Sequence, residues 1–259
     1  MSRFYQILLY TSIGSIAYYV LNDLYFYQLR EALNSTIPSL SIRHIVAYII
    51  VGIPVFISVF LLHSSTGFFS SLGLNKSILK GVFFSFICTV PMLVGYAIVF
   101  QWNAELSLNK IVIGSICAAL FEELYFRGFL FGQIFRFTRI GFIPAIIIGA
   151  LLFASVHLYQ SQDPITIIGI FFTTFLGAIW FAWLYVEWDN NLWVPIFLHL
   201  FMNLVWMMFS VSDNAFGGNY ANIFRLATIA LSIVITILYK RNRGQKLAVN
   251  RKTVWMKSR

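Results

Sequence analysis

Long apolar runs dominate this chain and limit what it can fold into. They are roughly 18–25 residues long, the length at which an α-helix crosses the hydrocarbon core of a bilayer. Hydrophobic residues make up 59% of the chain and charged residues only 10%. Backbone groups in lipid must satisfy one another, so such runs form helices or a closed barrel. The short alternating segments of barrel strands are absent. The sequence therefore predicts an all-α, polytopic transmembrane bundle.

The pattern predicts about eight spans in one domain that covers residues 1–240, followed by a tail at 241–259. Gly52–Pro54 is a suggestive break inside the second predicted span, and Asn75 or Ser77 is suited to cap the third. The predicted spans are Phe4–Leu29, Ile45–Leu62, Ile78–Phe100, Ile111–Phe131, Gly141–Leu158, Ile165–Val186, Leu192–Phe209 and Ile223–Tyr239.

The net charge of +9 comes largely from the end of the chain, since eight of the eighteen Lys and Arg residues lie from Lys240 onward. Such a basic, flexible tail is typical of the cytoplasmic end of a helix and of contact with anionic lipid. We expect no nucleic-acid binding. With an even number of spans, both termini lie in the cytoplasm, and the short loops suggest a prokaryotic inner membrane. Arg30 and Arg43 then lie outside, against the rule, and the inner loop at Glu187 is acidic.

Three charged residues interrupt the fourth predicted span. Glu122, Glu123 and Arg127 lie within six positions of one another, although an ionised group at bilayer depth costs about 2.5–3.5 kcal/mol or more. Glu123 and Arg127 are four residues apart, so they share a helix face and are predicted to form a supporting ion pair. Glu122 is turned by about 100° and is predicted to face a cavity.

Two other predicted spans carry polar groups at helical spacing. His157 follows Phe153 by one turn on the fifth span, and His199 and Asn203 are one turn apart on the seventh. A carboxylate and an imidazole together can take a proton from water, and a second imidazole with a carboxamide can stabilise the resulting oxyanion. Alternatively, Glu122, His157 and His199 would bind Zn²⁺, which would activate the water. Both arrangements predict hydrolysis inside the membrane.

These residues resemble the motifs of the CPBP family, a group of CAAX proteases and bacteriocin-processing intramembrane proteases. The motifs are EExxxR, FxxxH and HxxxN, and they occur here in the family's order, within residues 111–209, as Glu122-Glu123-Leu124-Tyr125-Phe126-Arg127, Phe153-Ala154-Ser155-Val156-His157 and His199-Leu200-Phe201-Met202-Asn203.

The resemblance implies a core of eight helices around a water-filled cavity. It implies that Glu122 and His157 activate water and that His199 and Asn203 form the oxyanion hole. Glu123 and Arg127 then match supporting positions. Some members of the family are described as metalloproteases and others as glutamate proteases. We favour the metal-free mechanism, because a His and Asn pair is well suited to bind an oxyanion.

The predicted function is hydrolysis of a peptide bond in a membrane-associated protein or peptide, with or without a lipid anchor. Two other functions remain open from the sequence. A non-catalytic scaffold or bacteriocin-immunity factor would keep the fold without using the polar groups. A proton-coupled transporter would use Glu122, His157 and His199 as a relay.

Overall fold

The computed structural model describes residues 2–257, which form a bundle of helices with no β-structure except two isolated bridges. The helices, in chain order, are α1 (Arg3–Ala32), α2 (Leu40–Val51), α3 (Ile53–Leu72), α4 (Ile78–Val99), α5 (108–137), α6 (Phe142–Ser155), α7 (Pro164–Glu187), α8 (Trp193–Met208) and α9 (Asn219–Asn242). Short 3₁₀ turns follow α1 and α6, at Leu33–Ser35 and Leu158–Gln160.

The protein is an integral, multi-pass membrane protein, as the apolar runs predict. Six helices are both long and apolar enough to cross a bilayer, namely α1, α3, α4, α7, α9 and α6 with the turn that follows it. Helices α2 and α8 are shorter and also apolar. The remaining helix, α5, carries the three charged residues of the fourth predicted span. The all-α polytopic bundle is therefore confirmed.

Helix α5 lies at the centre of the bundle. It contacts α1, α2 and α3 on one side and α6, α7 and α8 on the other. Around it, α6 packs on α7, while α4 packs against both α8 and α9. Helices α7 and α9 share few contacts, so a space remains between them. A central helix bearing charged residues thus faces that space from inside the protein.

Polar residues fix several helix ends. The Ser77 and Ser107 hydroxyls accept the backbone N–H of Lys80 and Lys110, at the starts of α4 and α5. The Asp163 carboxylate accepts the backbone N–H of Thr166 at 2.8 Å, at the start of α7. Such side chains satisfy the amides that have no partner in the first turn of a helix. Ser77 is thus the cap of the third predicted span.

The second predicted span differs from the structure, because Ile45–Leu62 is not one helix. The chain forms α2 and α3, which meet at Gly52. Pro54 has no N–H to donate and lies in the first turn of α3, where a proline is best tolerated. A Cβ atom at Gly52 would lie 2.0 Å from the Tyr125 hydroxyl oxygen, so the junction packs directly on α5. The break therefore helps to seat α5.

The basic tail was predicted to be flexible, but its described part lies against the bundle. The backbone carbonyls of Thr253, Val254 and Trp255 accept the N–H groups of residues 142, 143 and 141, each at 2.9 Å. These are the first amides of α6, which has no side-chain cap. The tail therefore takes the place of a capping residue. The charge pattern did not reveal this docking.

A buried ion pair holds the start of the tail. The Lys240 ammonium lies 2.7 Å from the Glu187 carboxylate, and both residues are at most 5% exposed. The same carboxylate accepts the backbone N–H groups of Ala248 and Val249. We call this end of the bundle the tail face and the opposite end, where α7 and α9 begin, the far face. Glu187 thus serves as an anchor for the tail.

Candidate active site

Helix α5 changes its winding on both sides of Glu122. Val112–Cys117 and Glu123–Phe131 are wound as π-helix, with normal α-helix between them. A π-helical turn leaves backbone carbonyls free for other partners and commonly marks a functional site. Here the Gly114 carbonyl accepts the side-chain N–H of Asn203 at 3.0 Å. The unusual winding therefore ties α5 to α8 beside the candidate residues.

His199 lies between the two adjacent glutamates. Its Nδ1 atom is 2.9 Å from Glu123 Oε1, and its Nε2 atom is 4.0 Å from Glu122 Oε2. The ring also stacks on Phe181, with centroids 5.4 Å apart and planes 18° apart. A carboxylate only accepts hydrogen bonds, so Nδ1 carries a proton. The seventh predicted span thus meets the fourth at this imidazole.

The predicted ion pair between Glu123 and Arg127 is present and fully buried. Arg127 Nε is 3.3 Å from Glu123 Oε2, and both side chains are at most 1% exposed. The guanidinium lies over the Phe153 ring, 4.4 Å from its centroid, and 5.6 Å from that of Phe181. Cation–π contacts of this kind stabilise a desolvated cation. Arg127 therefore connects the motifs of α5 and α6.

His157 lies just beyond the end of α6, in the turn before Leu158–Gln160. Its Nδ1 atom is 2.6 Å from the Phe153 carbonyl oxygen, and its ring packs on the Phe153 ring at 4.6 Å. Phe153 therefore forms a wall against the imidazole, as its position one turn earlier suggests. Because a carbonyl only accepts hydrogen bonds, Nδ1 is the protonated nitrogen and Nε2 keeps its lone pair. His157 can thus accept a proton from a neighbouring water.

One cavity of about 1050 Å³ brings the candidate residues together. Glu122, Phe153, His157, His199 and Asn203 all line it, whereas the buried Glu123 and Arg127 stand behind its wall. The Glu122 side chain is 21% exposed, as expected for a group that faces the cavity. The structure brings these groups to one space, as the sequence predicts, but His157 lies in the turn after α6 and not on the predicted fifth span's helix.

The cavity extends from the polar residues toward the far face and the lipid. Loop residues 212–216 border it at the far face. Between α7 and α9 its lining is mostly apolar, and Phe172, Leu176 and Leu226 also face outward, each at least 55% exposed. Nearer the tail face, the Trp180 and Trp188 indole N–H groups donate to Ser232 and Thr236 of α9. The two helices are thus joined at one end and separated at the other.

The alternative metal site is not supported by this arrangement. Among residues 2–257, no three side chains of His, Cys, Asp or Glu are placed so that they could hold a metal ion together. Glu122, His157 and His199 share a cavity, and both imidazoles have Nδ1 hydrogen-bonded, which is usual for a metal-binding histidine. It is therefore the placement of the three groups, and not their hydrogen bonds, that does not fit a Zn²⁺ centre.

Comparison with known proteins agrees with the motifs. Residues 104–205 match the family model described as Rce1-like, type II CAAX prenyl endopeptidase. This segment contains every motif residue. The chain is similar to this family over that segment, which is less than half of its length.

One relative of this chain is a Bacillus subtilis (strain 168) protein named "Putative membrane peptidase YdiL". The two are 33% identical over 93 residues, which are 36% of this chain and 34% of the relative. The chain therefore spans about a third of the length of that relative. No solved structure matches this chain significantly.

Sequence reasoning missed one charged residue of the cavity. Arg225 lies on α9 and lines the same space as Glu122, and its guanidinium stands over the Trp206 ring. A single cation inside an apolar span is a signal that hydropathy averages hide. Gly177 on α7 was missed as well. Its position faces open space, so the absence of a side chain widens the cavity.

Proposed function

We propose that this protein is an intramembrane endopeptidase that hydrolyses a peptide bond of a membrane-associated protein or peptide. One observation carries the proposal: Glu122, His157, His199 and Asn203, from three separate parts of the chain, line a single cavity. The similarity of residues 104–205 to the Rce1-like endopeptidase family supports the same chemistry. Each side chain is then assigned a role from its partners.

Glu122 and His157 are proposed to activate water. Glu122 has no cation of its own on α5, since Arg127 pairs with Glu123. Its carboxylate is therefore available to accept a proton, and His157 Nε2 offers a second acceptor. A water between these groups would lose a proton as its oxygen attacks the peptide carbonyl. Such general-base catalysis contributes about 10²- to 10⁴-fold to a rate.

His199 and Asn203 are proposed to stabilise the oxyanion that forms on the carbonyl oxygen. Asn203 uses one side-chain N–H for the Gly114 carbonyl, which leaves the second N–H for substrate. His199 donates from Nδ1 to Glu123. Donation from Nε2 as well would require a doubly protonated ring, whose charge the Glu122 carboxylate, 4.0 Å from Nε2, would balance. Donors fixed in this way before reaction stabilise developing charge most effectively.

The reaction closes with the transfer of one proton to the leaving group. The tetrahedral intermediate breaks its carbon–nitrogen bond, and the nitrogen receives the proton that Glu122 or His157 took from water. One water and one peptide bond thus yield one carboxylic acid and one amine. Glu123 and Arg127 touch neither reactant. We assign them the role of holding His199 and the Phe153 wall in place.

The opening between α7 and α9 supports a lipid-embedded substrate. Its lining is mostly apolar, and its apolar side chains continue onto the outer surface of the bundle. An apolar anchor can therefore enter from the bilayer without passing through water. The peptide bond next to the anchor would then reach the polar end of the cavity. We propose that the substrate class is an anchored peptide or protein segment of this kind.

Charge supports a prokaryotic inner membrane with the tail face in the cytoplasm, where the tail meets anionic lipid. The apparent exceptions to the positive-inside rule are paired. Arg30 and Arg43 both lie within 4.0 Å of Glu31, and Glu187 is buried against Lys240. Since the cavity opens at the far face, cleavage is proposed to take place in the outer half of the bilayer.

The proposal is tested by comparing membrane peptides from cells that carry the intact protein or Glu122→Gln. We expect peptide termini that appear only with the intact protein. Glu105→Gln is the matched control, because Glu105 lies in an exposed loop with its side chain 87% exposed. This control should produce the same termini as the intact protein.

The other functions give different results in the same cells. Identical peptide sets for the intact protein and a well-folded Glu122→Gln variant would contradict the peptidase. If bacteriocin resistance also survived the loss of Glu122 and His157, a scaffold would explain the data. Proton-coupled uptake in proteoliposomes that needs Glu122, without any cleavage, would instead identify a transporter.

A further inference from the structure

Arg225 is a cation that lines the candidate active-site cavity and forms no ion pair with a carboxylate of the described residues. It lies six residues after the start of α9, about 9 Å from the far face at the helical rise of 1.5 Å per residue. A charge at this depth is costly unless it has a partner or a function. We propose that Arg225 binds an anionic group, a carboxylate or a phosphate, carried by the molecule that enters the cavity.

The contacts of Arg225 leave its charge unbalanced. Among residues 2–257, no carboxylate lies within 4.0 Å of it. Its Nη1 atom is buried and has no hydrogen-bond acceptor. The guanidinium lies 4.5 Å from the centroid of the Trp206 ring, and Tyr96 lies beside it. Arg127, the other cation deep in the bundle, has Glu123 as its partner.

The chemistry of the guanidinium restricts the chemical class of the ligand. Its planar donors match the oxygens of a carboxylate or phosphate in pairs, and the Trp206 ring holds the plane in one orientation. The cation–π contact does not use up these donors, because it engages the face of the group and the donors lie at its edge. An anion that enters the cavity would therefore satisfy a donor that the protein leaves unsatisfied.

The side chains that line the cavity near Arg225 indicate the chemistry of the rest of the ligand. Leu226, Ile229 and Ile233 continue the cavity lining along α9 toward the tail face. A molecule with an anionic group at Arg225 would lay an apolar portion on these side chains. The carboxylates of Glu122 and of Asp213 line the same cavity and repel an anion. Arg225 is therefore the position along this lining at which a negative group is favoured.

This inference extends the proposed peptidase function, but its test requires no cleavage. The protein carries Glu122→Gln and is kept in the uncharged detergent dodecyl maltoside. The probes are N-dodecanoylglycine, its methyl ester and dodecyl phosphate, with binding measured by calorimetry. We expect the acid to bind about tenfold more tightly than the ester or better, the gain from one charge-assisted hydrogen bond.

Variants of the protein test whether Arg225 causes the preference for the acid over the ester. Arg225→Gln should remove the preference for the acid over the ester, and Arg225→Lys should keep part of it. Arg30→Gln is the matched control, since Arg30 also stands over an aromatic ring, that of Tyr27, and does not line the cavity. This control should keep the full preference. If Arg225→Gln does not fold, the Arg225→Lys variant and the acid–ester comparison in the unaltered Arg225 protein carry the test.

The outcomes separate the two proposals and the two sources of the anion. Equal affinity for acid and ester, or an unchanged preference in folded Arg225→Gln, would overturn the anion site. Tighter binding of dodecyl phosphate than of the carboxylate would support the site with a phospholipid headgroup as its ligand. The reverse order would support it with the carboxylate of a peptide. If the comparison of peptides in cells contradicted the peptidase function, each of these binding results would still hold.

Discussion

The variant Arg127→Met tests whether Arg127 has the supporting role proposed for it, by its effect on the stability of the protein. Arg127 and Glu123 are buried side by side, 3.3 Å apart, with at most 1% of either side chain exposed. Methionine is apolar and long enough to fill the space between the rings of Phe153 and Phe181. The substitution therefore removes the cation with little change of packing and leaves the Glu123 carboxylate buried with His199 as its remaining partner.

The size of the effect follows from that orphaned charge. Breaking a buried ion pair by removing one partner costs about 3–5 kcal/mol. Since Glu123 keeps its contact with His199, we expect the lower end, about 3 kcal/mol. For a chain of this size, 1 kcal/mol corresponds to about 2–4 °C in the unfolding midpoint. The apparent midpoint of Arg127→Met should therefore fall by about 6–12 °C.

Thermal unfolding in detergent, followed by circular dichroism, measures this change. Arg139→Met is the control, since Arg139 is exposed in the loop after α5, and its midpoint should stay within about 1 °C of wild type. The double variant Glu123→Gln/Arg127→Met removes the orphaned charge and should regain part of the loss. An Arg127→Met protein as stable as wild type, or a double variant less stable than both single variants, would refute the reasoning.

Three further predictions concern other parts of the molecule. Gly177→Leu places a side chain in the cavity, so cleavage of an anchored peptide should fall by about tenfold or more with an unchanged unfolding midpoint, as measured by kinetics and circular dichroism. Glu187→Gln weakens the anchor of the tail, and limited trypsin digestion should cut the tail faster than in wild type. Hydrogen bonds from Thr166 hold the pKa of Asp163 below its usual value, so its stabilising effect is present above the unfolded pKa and is lost as the pH falls through the folded pKa. Asp163→Ala should therefore flatten the acid limb of a plot of midpoint against pH.

The sequence predicted those features that depend on spacing within one helix. Glu123 and Arg127 pair at the expected four-residue separation, and Phe153 packs on His157 as its position one turn earlier suggests. The apolar runs also predicted the helical bundle. Local periodicity determines these relations, so they do not require knowledge of how the helices pack.

Features that depend on packing between helices could not be predicted in this way. Helical spacing predicted that the side chains of the two glutamates point in different directions. The structure nevertheless places His199 close to both of them. No rule of periodicity reveals an imidazole on another helix. The tail was misjudged for the same kind of reason, because its carbonyls replace a side-chain cap that α6 lacks.

The most direct test of the account is hydrolysis by the purified protein in ¹⁸O-labelled water. The substrate is an anchored peptide identified from the cellular comparison, reconstituted with the protein in liposomes, and the products are weighed by mass spectrometry. We predict one ¹⁸O atom at the new carboxyl terminus, with a rate lowered at least about 100-fold in Glu122→Gln and in His157→Ala. Cleavage at the wild-type rate by a folded Glu122→Gln protein would contradict the account.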